Sequence, residues 1–322
     1  MATTQPRVVV LTPVYNGAAF LREALVSVQA QSCPNLVHFV LDNASTDGTA
    51  AILREFRDAR VPVVVERNAA LLPLGENWNK CVALGVQNAD YFRVLCADDT
   101  MEPTAMEKMV AVAEADRDVL LVGCHRRTSD GFDTYSWSRS SSNFDGKDVI
   151  RACFLGDTGF APPHLLYRSS VLGCRPILFD EGIVAFDTDA ALAIMALPKA
   201  RFGFVHEVLA FTRRHATSIT ETVVSPTHVD YFDWLVMIAR YGRSALSKHE
   251  LLQLEKDFRR HYFARLLAWR FRQGNLAAFD WHMKALSSID RSPGVLDYLD
   301  AVADVCLRKA GLRPPWDRYP QG

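Results

Sequence analysis

Two adjacent carboxylates, Asp98 and Asp99, follow directly on the strand-like segment Tyr91 to Leu95. Oxygen donors at the end of a strand suit a hard divalent cation, magnesium or manganese, that retains phosphate oxygens as co-ligands. A turn or helix cap leading into Pro103 is the structural alternative, because aspartate is common in turns. Further along, an acidic stretch runs from Phe179 to Asp189, and Arg213-Arg214-His215 places two guanidiniums beside an imidazole. The seven cysteines (Cys33, Cys81, Cys96, Cys124, Cys153, Cys174 and Cys306) are odd in number and never spaced C-x-x-C. They indicate neither a zinc knuckle nor a disulfide framework, and a reducing cytoplasm fits them best.

These residues can act together only if the chain gathers them. Arg7 to Leu11 reads as a buried strand, and Phe20, Leu21, Ala24, Leu25 and Val28 mark a helix by their spacing. Val37 to Leu41 is the next strand, with the helix-start cluster Ser45-Thr46-Asp47-Gly48 behind it. Val61 to Val65, Glu76 to Val86, Tyr91 to Leu95, Pro103 to Ala115 and Val119 to Val122 continue the alternation. Strand and helix in turn predict an α/β fold, a mostly parallel sheet with helices on both faces. Ligands of such sheets sit at the carboxyl ends of the strands. The polar residues lie there: Thr12 to Gly17 after the first strand, Asp42-Asn43 after the second, Asn68 after the third and Asp98-Asp99 after the fourth.

Ser129 to Gly146 is polar and serine-rich, as a loop or edge hairpin would be. From about Thr227 the pattern is helical without strand signal. The expected division is therefore 1–222 for the α/β domain and 223–322 for an all-helical C-terminal extension.

With 322 residues, 36 basic and 37 acidic side chains, a net charge of −1 and 49% apolar content, the chain is a folded body without the basic excess of a nucleic-acid binder. Met1 to Arg7 is polar and predicts no signal peptide. The longest apolar run, Ala190 to Pro198, is far short of the roughly 20 residues that span a bilayer. Membrane contact would be peripheral, at the inner face. Lys248 to Arg272 carries seven basic residues against three acids, with Leu251, Phe258, Tyr262, Leu266 and Trp269 at helical spacing. Docking on anionic lipid is one use of such a segment, a solvated face on a helix packed against the body is another, and a homodimer interface is a third.

Leu11-Thr12-Pro13-Val14-Tyr15-Asn16, then Val40-Leu41-Asp42-Asn43-Ala44-Ser45-Thr46-Asp47-Gly48-Thr49, then Cys96-Ala97-Asp98-Asp99, resemble the motifs of family 2 glycosyltransferases in order and position. The resemblance spans roughly residues 5 to 220. It implies the GT-A fold and transfer of a sugar from a nucleotide diphosphate with inversion. It implies that Thr12, Pro13, Tyr15 and Asn16 line the donor nucleotide, with Tyr15 stacking on the base. Asp42 and Asn43 would meet the pyrimidine and ribose of a UDP- or dTDP-sugar, an amide being able both to donate and to accept. Ser45 to Thr49 reads as helix capping. Gly75-Glu76-Asn77-Trp78-Asn79 resembles a further family element and places Asn77 and Asn79 near the donor. Asp98 would contact the sugar nucleotide and Asp99 would hold Mn2+ or Mg2+, with His215 completing the metal shell or touching the diphosphate, and Arg214 neutralising phosphate charge.

The resemblance also implies a base for the acceptor hydroxyl, and Asp187 matches the family's catalytic carboxylate. Phe186 replaces the acid that often precedes it, which leaves Asp189, Asp180 and Glu181 as other candidates. His164 is a candidate for the acceptor pocket. The acceptor would be a glycan or a lipid-linked saccharide, in surface polysaccharide or glycoconjugate synthesis. Processive synthases carry Gln-x-x-Arg-Trp and membrane helices, and neither is present, so single-sugar addition is expected. The absence of G-x-G-x-x-G after the first strand disfavours a dinucleotide-dependent oxidoreductase. A sugar-nucleotide sensor that binds donor without turnover is the competing function, motivated by Phe186.

Overall fold

The computed structural model describes residues 5–133, 135–156 and 158–314. The polar start of the chain, residues 1–4, and the last eight residues lie outside these. The chain divides into two compact units. The first takes in Met1–Val149, Thr158–Gly182 and Phe186–Arg214; the second takes Ile150–Asp157, Ile183–Ala185 and His215–Gly322.

In the first unit β1 (Val8–Val14) is buried along its whole length, as a strand covered on both faces must be. It is followed by α1 (Leu21–Gln29), β2 (Leu36–Asp42), α2 (Thr49–Glu55), β3 (Val63–Arg67), α3 (Leu74–Gly85) and β4 (Tyr91–Val94). Next come β5 (Thr100–Met101), α4 (Ala105–Glu114), β6 (Val119–Thr128), β7 (Gly131–Asp133), β8 (Asn143–Asp145) and α5 (Gly146–Leu155), which belongs to the second unit from Ile150 onward. A short 3-10 turn (Pro162–His164), β9 (Leu166–Arg168), α6 (Val171–Cys174), α7 (Phe186–Met195) and β10 (Arg201–Thr212) complete this part. The strands form one mixed sheet in the order β3-β2-β1-β4-β9-β6-β10-β5, with β7 on β6 and β8 on β10.

The expected parallel pairing is present for β1 with β2 and β4, β2 with β3, and β6 with β10. Strict alternation fails at β9, which enters antiparallel between β4 and β6. The insertion is held by packing and by hydrogen bonds that sequence spacing does not reveal. Tyr167 stacks on Phe92 with ring centroids 5.0 Å apart, and Arg168 donates to the carbonyls of Val119, Ala113 and Asp116 while lying over the Tyr91 ring. The serine-rich segment contains β7 and β8, so its described residues are partly an edge of the sheet. Two strand ends also differ from the expectation: Thr12 and Pro13 lie within β1, and Asp42 is the last residue of β2.

The second unit is helical. After the single turn α8 (Ser225–Thr227) come α9 (Asp230–Ala245), α10 (Lys248–Leu267), α11 (Leu276–Ser288) and α12 (Val295–Lys309). Ser247 and Glu250 form a reciprocal capping box at the start of α10. The spaced apolar residues Leu251, Phe258, Tyr262, Leu266 and Trp269 are all buried. Part of the basic face of this segment is paired within the unit. Arg259 donates to Asp297 at 3.1 Å and Arg260 to both oxygens of Asp300 at 2.7 and 2.8 Å. Among the described residues no helix is long and apolar enough to cross a membrane.

Candidate functional site

The carboxyl ends of β1, β2 and β3 carry the first group of polar residues. Tyr15, the residue after β1, is 49% exposed and offers an aromatic face. Asn16 follows in the left-handed backbone region at φ 49°, which asparagine tolerates better than most residues. Its backbone N–H donates to Ser45 Oγ at 2.9 Å, and its side-chain oxygen accepts from Thr46 N–H at 2.8 Å. Gly17 N–H donates to Thr49 Oγ1 at 2.9 Å and Ala18 N–H to Asp47 at 3.0 Å. Ser45 to Thr49 therefore stitches two strand-end loops together. The segment also caps α2 as expected, through Asp47 Oδ1, which accepts from Thr49 N–H at 3.0 Å, while Gly48, the residue before the helix, has no side chain to do so.

Thr12 is fully buried, its hydroxyl 2.8 Å from His38 Nε2, and Pro13 is buried beside it in the strand. Asp42 is 2% exposed; it accepts from Ser45 N–H at 2.9 Å and pairs with the Arg67 guanidinium. The Asn43 amide donates to Leu72 O and accepts from Leu72 N–H and Asn68 Nδ2, each at 2.9 Å. Asn68 also donates to Asn77 Oδ1 at 2.9 Å, so Asn43, Asn68 and Asn77 form one buried amide chain that fixes the 68–72 loop. Asn79 exchanges two hydrogen bonds with the Phe179 backbone, at 2.8 and 2.9 Å, and ties α3 to the acidic segment. Gly75 permits the close approach there, because a Cβ would lie 2.9 Å from Glu181 Cγ.

The second group lies at the ends of β4 and β10. Cys96 Sγ and a carboxylate oxygen from each of Asp98 and Asp99 lie within 4.8 Å of one another. Asp99 is 3% exposed, and burial together with the neighbouring Asp98 charge pushes its carboxyl up to about 7. Two mutually repelling carboxylates fit a hard divalent cation, which would remove that repulsion. Burial and the same carboxylates push the Cys96 thiol well up, so it stays protonated beside oxygen donors.

Arg213, the residue after β10, donates its backbone N–H to Asp99 Oδ1 at 2.9 Å and its Nε–H to the Asp98 carbonyl at 3.2 Å. Beneath them, Arg93 Nη2 donates to His164 Nδ1 at 3.0 Å. Arginine only donates, so the proton of this buried neutral imidazole sits on Nε2, 2.6 Å from Thr212 Oγ1 and 3.6 Å from Asp99 Oδ2. At 1% exposure His164 supports Asp99 from inside, which corrects the acceptor-pocket position expected of it.

Arg93 was not singled out from the sequence, and Arg213 only as a member of the Arg213-Arg214-His215 cluster. A charged residue inside the apolar strand Tyr91-Phe92-Arg93-Val94 was the available signal for the first. Arg214, the expected phosphate partner, is exposed; it donates its backbone N–H to Ser129 and its guanidinium to Asp130. His215 belongs to the second unit, with Nδ1 2.9 Å from Thr217 Oγ1.

Asp187 lies half-buried in the first turn of α7 and accepts from Thr188 N–H at 2.7 Å. Burial raises its carboxyl to about 6, and its charge acts on the Cys96 thiol of the cluster. Asp189 is fully buried and paired with Arg175 at 2.7 Å, and Asp180 accepts from Gly182 N–H at 2.8 Å. Phe186 packs between Trp78 and Phe179, with ring centroids 5.0 and 5.1 Å away.

Residues 9–175 match the family model described as glycosyl transferase family 2. The chain is 26% identical over 236 residues, 69% of each chain, to an uncharacterized glycosyltransferase of Rickettsia typhi. It is 26% identical over 166 residues to the succinoglycan biosynthesis protein ExoO of Rhizobium meliloti, 51% of this chain and 44% of that one. Among solved structures, S. aureus TarS 1-349 in complex with UDP-GlcNAc superposes with a TM-score of 0.69 at 16% identity, covering 89% of this chain and 82% of TarS.

Proposed function

The chain belongs to glycosyl transferase family 2, with a GT-A type fold, and from that premise we propose that it moves a single sugar, with inversion, from a UDP- or dTDP-sugar to a hydroxyl of a glycan or lipid-linked acceptor. The observation that carries this reading is the joint placement of the Cys96–Asp98–Asp99 cluster and Asp187 at one end of the sheet. The bound UDP-GlcNAc of TarS supports a uridine donor, and the succinoglycan relative supports a role in polysaccharide synthesis.

In this reading Tyr15 stacks on the base and Asp42, held by Ser45 and Arg67, faces the nucleoside. Asp99 and Asp98 would hold Mn2+ or Mg2+, which when bound supplies positive charge against the leaving diphosphate. Arg213 and the buried Arg93–His164 pair keep Asp99 in place. Asp187 takes the proton of the acceptor hydroxyl as that oxygen attacks, and a single displacement inverts the anomeric carbon. A carboxyl held at about 6 is mostly ionised at neutral pH yet remains a better base than an exposed aspartate. Phe186, anchored in an aromatic cluster, leaves this role to Asp187 alone.

The test is a screen of UDP-, dTDP- and GDP-sugars with manganese, scoring release of free nucleoside diphosphate with and without glycan acceptors. Release from at least one pyrimidine donor is expected. Donor binding without any turnover would replace the enzyme with the sensor.

A further inference from the structure

A cavity of about 470 Å³ lies in the first unit, away from the strand ends described above. Its walls include His125 on β6, His206 and Glu207 on β10, and Tyr135, Trp137 and Arg139 from the serine-rich segment. Such a volume is within the roughly 300–1,000 Å³ of small-molecule sites.

The backbone is specialised at this point. Val205 pairs with Cys124 and Val208 with His125, so His206 and Glu207 are extra residues bulged out of the β6–β10 ladder. Bulges of this kind re-aim side chains and recur next to functional sites. The lining is also chemically specific. His125 is 8% exposed and its Nδ1 accepts from Tyr135 N–H at 3.1 Å, which puts the ring proton on Nε2. That N–H has no hydrogen-bond partner among the described residues. Burial, with His206 and Arg139 nearby, holds the imidazole below its usual range and therefore neutral. His206 Nε2–H donates to the Ser141 carbonyl at 2.8 Å, and the Tyr135 ring stacks on His125 at 6.4 Å. Trp137 is anchored through its indole N–H to Gly159 O at 2.8 Å.

An imidazole N–H and a guanidinium arranged around aromatic faces match a ring whose hydroxyls accept hydrogen bonds and whose C–H face packs on aromatics, while the Glu207 carboxylate is paired with Lys108. We propose that this cavity is a saccharide subsite, taking one or two sugar units of the acceptor at a distance from the reacting hydroxyl. His206 lies between the levels of Cys124 and His125 on β6, whereas Thr212 pairs with Thr128, so three to four residues of the ladder, roughly 10–13 Å, separate the subsite from the strand end that carries the acidic pair. The inference deepens the proposed function and rests on the acceptor being a glycan.

The full chain, labelled with 13C at histidine, is titrated with the methyl glycosides of glucose, galactose, mannose, rhamnose, N-acetylglucosamine and glucuronic acid. At least one is expected to shift the His125 and His206 signals saturably. Tyr135→Ala and Arg139→Ala should each weaken that binding at least tenfold, while affinity for UDP with manganese changes less than twofold. Silence at both imidazoles, or shifts that survive both substitutions, overturns the subsite. Failure of the unsubstituted chain to bind any pyrimidine nucleotide would instead overturn the proposed function, whatever the glycosides show.

Discussion

Asp187 and Asp99 both hold their protons more tightly than an exposed aspartate, for different reasons. Burial dominates at Asp187, opposed by the Thr188 N–H, whereas Asp99 adds the repulsion of Asp98 to burial. As a base, Asp187 acts only when ionised. Turnover should therefore rise about tenfold per pH unit below 6 and level off above it, and Asp187→Asn should lower turnover about 10²–10⁴-fold with donor affinity within twofold. Initial rates against pH and calorimetric donor titration measure the two.

Asp99 makes a stability prediction of defined sign. Its folded value is about 7, while an unfolded aspartate titrates at about 3.9. Below both values the group is protonated in either state and contributes nothing. Between them the unfolded chain gives up the proton first, so stability is lost as pH rises toward 7 and stays lost beyond it. The melting temperature of metal-free Asp99→Asn should match the parent near pH 4 and exceed it increasingly up to pH 7. A constant gap would mean that the carboxyl is not perturbed.

At the scale of elements, Phe186 shows how one position serves packing instead of chemistry. It begins α7 while filling the Trp78–Phe179 cluster, so an acid there would lose that packing and bury a charge. Phe186→Asp should cost about 3–5 kcal/mol or more in denaturant unfolding and gain no activity. The chain itself announced the buried elements: β1 reads as a continuous apolar run, β2 and β4 as apolar runs interrupted by His38 and Arg93, and α10 by its spacing. β5 and β9 were not legible, because two or three residues cannot display a period. The acid pair was legible from its place after β4. Its support was not, since Arg213, Arg93 and His164 come from three distant segments that only the sheet order brings together.

For the molecule as a whole, the second unit is more than a tail. Phe154 is 2% exposed with its ring 5.6 Å from Trp234, Arg151 pairs with Glu250, and Ala185 N–H donates to Asp233 at 2.8 Å. Each of these partnerships joins a short early segment to the helices after His215. A chain ending at residue 222, where the end of the strand signal places the boundary, would strand Phe154 without its apolar neighbour Trp234. It should be recovered mainly as aggregate, whereas the full chain elutes as a defined species in size-exclusion chromatography.

The same interleaving has a consequence during synthesis. Ile150–Asp157 and Ile183–Ala185 leave the ribosome well before the helices that complete their unit. At roughly 5–20 residues per second, the 137 residues after Ala185 (322 − 185) take on the order of 7–27 s to translate. Throughout that interval the nascent polypeptide displays sticky, half-finished surface, so its yield in a cell is set by translation speed and chaperone supply as much as by the stability of the finished enzyme.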